Sequence, residues 1–156
     1  LIDDLVHGDG VPRIFEYALS RLVRSQVAEA LAPQTRRTGT APKLHGLQTE
    51  VQTLFSLLAQ SGHPDIDSAR AACEAGLRHL FPRGTLRYAP PSPWVEPLDQ
   101  ALLQLDRLSP LVKQELIAAL ALTILHDRTI TLAESELLRA VCALLHCPLP
   151  PLATAA

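Results

Sequence analysis

Residues 109–146 read SPLVKQELIAALALTILHDRTITLAESELLRAVCALLH, and this stretch decides the fold. Ser109-Pro110 sets a cap hydroxyl directly before a proline at the first helical position, where the missing N–H has no intrahelical partner to lose. The apolar run Leu116 to Leu125 carries that helix on to an expected end near His126. Such a run is about half of the ~20 residues a bilayer span requires, so it reads as a helix buried in a core. A second start follows at Thr131-Leu-Ala-Glu134, which fits a capping box: the Thr oxygen and the Glu carboxylate each satisfy a backbone amide of the other. A last helix is therefore expected to run to about His146. Helix, tight turn, helix, with no alternating strand pattern in competition, sets the class as all-α.

The same punctuation extends toward the N-terminus. Ser92-Pro93 predicts a helix start, followed by Trp94, Leu98, Ala101, Leu102 and Leu105 at helical spacing. Asp65 or Asp67 caps a helix over 66–80 with Ala69, Cys73, Leu77 and Leu80 inward. Leu47, Val51, Leu54, Phe55 and Leu58 make another apolar face. Phe15, Leu19, Leu22, Val23 and Val27 form one stripe of a helix near 12–31. Residues 32–46 and 82–93 are rich in Pro, Thr and Gly and read as surface loops, and PLPPLATAA at 148–156 is a proline brake with a tail. The expected architecture is all-α, about seven helices in a single domain over 1–156. It comprises a first repeat half (1–31), middle helices (47–81), a second repeat half (93–147) and a tail (148–156). The two halves pack around the helix 110–126, with helices 46–80 closing the side.

Composition bounds the function. Hydrophobic residues at 47% and charged residues at 19% place the chain among folded proteins. Fourteen Lys and Arg against sixteen Asp and Glu give a net charge of -2, which offers no electrostatic footprint for nucleic acid or an anionic membrane. Three cysteines, Cys73, Cys142 and Cys147, form no paired framework, so a reducing, cytosolic setting is expected. Residue 1 is Leu and the chain has no Met, so further chain before Leu1 is expected. Leu1, Ile2, Leu5 and Val6 then read as the last turns of a helix whose trimming leaves an apolar groove for another copy, making a dimer possible.

The two ends resemble each other. LVHGDGVPRIFEYALSRLV (5–23) aligns with TILHDRTITLAESELLRAV (123–141), so that Asp9 falls on Asp127, Glu16 on Glu134, Leu19 on Leu137 and Val23 on Val141. The Asp-to-Glu spacing matches the second half of a calcium-binding EF-hand loop. The first half is missing: Leu5 and His7 in one copy, and Thr123 and Leu125 in the other, stand where the earliest carboxylates belong. Arg128 replaces the turn glycine. With too few side-chain oxygens for calcium, the carboxylates read as helix caps favoured by the macrodipole. Asp9, Glu16, Asp127 and Glu134 are the candidate metal ligands if an ion binds at all.

Other constellations are weaker. Cys142 and His146, four apart with Cys147 adjacent, suggest a zinc corner only if Cys73 or His79 joins them; core cysteines and a helix-terminal His are the expected reading. No nucleophile sits on a recognisable elbow, so no catalytic residue is assigned. Arg36-Arg37 with Lys43 reads as a solvated loop, with a phosphate contact as the alternative, and Trp94 as an anchor for the loop 82–93, with a partner hot spot as the alternative.

The Asp-Gly turn followed by a Glu and a Leu-rich helix resembles the TerB-like helical domains. More specifically, ESELLRAVCALLHCPLPPL (134–152), LSPLVKQELIAAL (108–120) and the opening LIDDLVHGDGVPRIFEYALSRLV are similar to the cytosolic C-terminal region of bacterial membrane zinc metallopeptidases related to HtpX. The resemblance covers both ends and is loose in the middle. It implies a parent with transmembrane helices and an HExxH zinc site in the inner membrane, and a non-catalytic regulatory or interaction role for this piece. None of the six His is followed by Glu, so the zinc helix is not in this chain and zinc is expected only in the parent. The implied partner is the parent's own membrane or peptidase domain, or a cytosolic protein. A stand-alone TerB-like stress-response or divalent-ion module is the alternative.

Overall fold

The computed structural model describes residues 12–31, 40–63, 65–126, 128, 130 and 132–148. Among these the chain forms α1 (Pro12–Leu31), a 3-10 turn (Leu44–Leu47), α2 (Gln48–Gly62), α3 (Ile66–Leu80), α4 (Val95–Leu105), α5 (Pro110–Leu125) and α6 (Leu132–Leu144), with no strand. The all-α bundle is thus as the apolar spacing predicts; the expected opening helix at 1–6 and residues 149–156 of the tail lie outside the described residues.

Local chemistry sets the boundaries. Asp65 is the cap of α3, its carboxylate accepting the Ser68 amide at 2.8 Å. Pro110 opens α5 as expected, although the Ser109 hydroxyl makes no cap hydrogen bond. The start predicted at Pro93 is corrected: α4 begins at Val95. Pro93 and Trp94 remain in the loop, where Trp94 packs against the core and meets the Tyr17 ring edge-on at 5.5 Å.

The centre is α2 rather than the helix 110–126, because Val51, Leu54, Phe55, Leu57 and Leu58 present nearly the whole circumference of α2 to α1, α3, α4, α5 and α6. α5 packs chiefly on α3, its closest approach fixed by Gly76. A β-carbon there would lie 2.1 Å from Thr123 Oγ1 and 3.0 Å from the Ala119 carbonyl oxygen.

α1 lies at the edge, mainly on α6. Ile14, Tyr17, Ala18 and Leu22 turn to the core, whereas Leu19, Val23, Val27 and Leu31 are 45%, 51%, 52% and 81% exposed. Of the apolar stripe read from spacing, Leu22 therefore packs on the core, while Leu19, Val23 and Val27 face outward. The repeat counterparts of Leu19 and Val23, Leu137 and Val141, are buried on α6. The periodicity is real, but α1 turns a neighbouring face inward, so Leu19 and Val23 occupy the opposite environment to Leu137 and Val141.

Candidate functional site

Of the four acidic turn residues, Asp9 and Asp127 lie outside the described residues. Glu16 is half-buried in α1, and Glu134 is buried in α6 against the last turn of α2, where a β-carbon on Gly62 would come 2.1 Å from Glu134 Oε1. Arg128, at the position of the turn glycine, has φ +61°, so the backbone keeps a left-handed turn that glycine adopts more readily.

The candidate zinc corner is taken up differently. Cys142 is buried, which raises its thiol pKa to about 12. Cys73 Sγ lies 3.6 Å from Ser56 Oγ, and burial pushes its pKa to about 11 against the opposing Ser56 contact. His79 is exposed. Both His146 ring nitrogens meet carboxylates: Nδ1 is 3.1 Å from Asp106 Oδ1 and Nε2 is 2.9 Å from Glu29 Oε1. Among the described residues, no cluster of three or more His, Cys, Asp or Glu is arranged to hold a metal.

These contacts belong to a junction that the sequence pattern does not mark. Lys113, almost buried on the inward face of α5, donates from Nζ to Asp106 Oδ1 and to the Leu145 carbonyl oxygen, both at 2.8 Å. The chain Glu29, His146, Asp106, Lys113 thereby ties the end of α1 to the turn after α4, to α5 and to the end of α6. Each carboxylate accepts, so His146 can satisfy both only as the imidazolium. Hydrogen bonds to Asp106 and then Glu29 raise the His146 pKa above the ordinary imidazole value. Burial pushes the Asp106 carboxyl up, but the Lys113 and His146 hydrogen bonds outweigh it and hold the pKa below the usual range. The available signal was Lys113 itself, a cation in register with Leu116, Ile117 and Leu120 on a buried face.

The other end of α1 is held by Asp99 of α4, which accepts from the Tyr17 hydroxyl and pairs with Arg21. Polar clamps thus grip α1 near both ends and leave Leu19, Val23, Val27 and Leu31 facing outward. Of the basic loop cluster, Lys43 is exposed, and Arg36 and Arg37 lie outside the described residues. No helix among the described residues is long and apolar enough to cross a membrane. Comparison with protein-family models, curated proteins and solved structures finds no match to this chain.

Proposed function

We propose that this chain is a non-catalytic docking module whose contact surface is the outward face of α1. The observation that carries the reading is the exposed row Leu19, Val23, Val27 and Leu31, one side chain per turn, on a helix clamped at Asp99 and at His146. Exposed apolar rows of this kind on an otherwise buried core mark helix-in-groove contacts. The resemblance of both chain ends to the C-terminal region of membrane zinc metallopeptidases supports the parent's own cytosolic peptidase part as the occupant, with this domain restraining or positioning it. A photocrosslinker placed at Val27 in the intact parent should label that part, and Val23→Asp should abolish the label. Zinc-supplemented peptidase assays on the isolated domain should show no turnover; chelator-sensitive cleavage would overturn the reading.

A second reading, a TerB-like divalent-ion module, is supported by the left-handed turn kept at Arg128. Calcium calorimetry discriminates: micromolar binding lost on Asp9→Ala or Glu16→Ala would favour it over the docking role.

A further inference from the structure

Residues 81–94 join α3 to α4 without regular secondary structure, and connections of this length are uncommon in compact domains unless they serve binding or catalysis. The segment is nonetheless fixed. The Phe81 amide donates to the Leu77 carbonyl oxygen at 2.8 Å, and the Gly84 amide to the Phe81 carbonyl oxygen at 2.9 Å. Gln52 Nε2 donates to the Arg87 carbonyl oxygen at 2.8 Å, and the Ala89 amide donates to the buried Ser56 hydroxyl at 3.0 Å. Leu86 and Tyr88 pack on the core. Between this loop and the last turns of α3 lies a cleft of about 190 Å³ whose walls include Glu74, Arg78, Thr85, Leu86 and Arg87.

Two features of the cleft point to a ligand. Arg78 and Arg87 are exposed, and neither pairs with a carboxylate among the described residues. Among the described residues the backbone of Thr85 and Leu86 makes no hydrogen bond, although the flanking residues hold it in place. Guanidinium forks match carboxylates, and a loop tied down on both sides, with the amides and carbonyls of Thr85 and Leu86 unused, can meet the main chain of a peptide. Nucleic acid would need a broader basic face and exposed stacking rings. The chain carries a net charge of -2, and Phe81, the aromatic side chain at the cleft, is buried.

We propose that this cleft binds an extended acidic peptide segment, its carboxylates on Arg78 and Arg87 and its main chain beside Thr85 and Leu86. The site lies on α3 and its following loop and does not depend on the docking role of α1. The test is fluorescence anisotropy of the purified chain with a short labelled Glu-rich peptide, its Lys-for-Glu counterpart, a single-stranded oligonucleotide and inorganic phosphate as competitor. Binding is expected for the acidic peptide alone, weakening as salt rises. Arg78→Glu combined with Arg87→Glu should weaken it roughly tenfold or more, while Arg139→Glu on α6 leaves it unchanged. Circular dichroism should show that the double variant keeps the parent's melting temperature. No binding of the acidic peptide, equal loss with Arg139→Glu, equally tight oligonucleotide binding, or full displacement by phosphate would each overturn the proposal.

Discussion

Replacing Gly76 by Ala tests the close contact between α3 and α5. The new β-carbon would meet Thr123 Oγ1 at 2.1 Å, Phe55 Cε1 at 2.8 Å and the Ala119 carbonyl oxygen at 3.0 Å. Phe55 and Thr123 are fully buried, and Ala119 O can retreat only if α5 moves with it. Thr123 Oγ1 also donates to that same carbonyl oxygen at 3.3 Å, so moving it costs a hydrogen bond. On the other side, alanine favours a helix interior over glycine by about 1 kcal/mol. Overpacking a close-packed core costs about 1–3 kcal/mol, and a contact this far inside van der Waals distance belongs at the upper end. The net expectation is a destabilisation of about 1–2 kcal/mol, which for a chain of this size lowers the melting temperature by roughly 2–8 °C. Thermal and urea unfolding followed by circular dichroism would measure it. Thr123→Ala removes the nearest obstacle, so the double variant should recover part of the loss, with a coupling on the order of 1 kcal/mol. A Gly76→Ala protein that melts at or above the parent temperature would refute the close α3 to α5 contact.

Three further outcomes are expected. His146 has a raised folded pKa, so its contribution is complete below the ordinary imidazole value and fades as pH rises through the raised one. Because His146, Glu29 and Asp106 are all more than a third exposed, screening limits it to about 1 kcal/mol or less, and a stability difference from His146→Gln that stays constant from about pH 5 to 9 would contradict it. Among the thiols, Cys147 is partly exposed while Cys73 and Cys142 are buried with pKa values of about 11 and 12; a disulfide reagent should label one thiol in the folded chain and three after denaturation. Arg128→Gly should relieve the left-handed backbone and raise stability by about 0.5–1 kcal/mol, whereas a lower urea midpoint would show that the arginine side chain holds the turn by contacts of its own.

Helix positions were legible because their signals are local: Asp65, Pro110 and the apolar periods act within one or two turns, and α1, α3 and α5 begin where these residues place them. Facing was less so. Leu19 and Val23 carry the same period as Leu137 and Val141, yet only the latter pair is buried, because period alone does not say which of two adjacent faces meets a neighbour. Trp94 was readable as an anchor, and it stands as the cap residue of α4 with its ring against Tyr17, so the helix begins two residues after the start expected at Pro93. The candidate sites were least legible. Glu29, Asp106, Lys113 and His146 come together from four parts of the chain, and Arg78 and Arg87 share a cleft only because the Ser56 hydroxyl and Gln52 fix the loop between α3 and α4.

The hub position of α2 has a consequence for how the protein is made. Its partners include α6, which ends at Leu144, so most of the sequence must leave the ribosome before Leu54, Phe55 and Leu58 are fully enclosed. Until then the nascent polypeptide carries a greasy helix whose sides toward α5 and α6 are uncovered, the kind of segment that holdase chaperones grip.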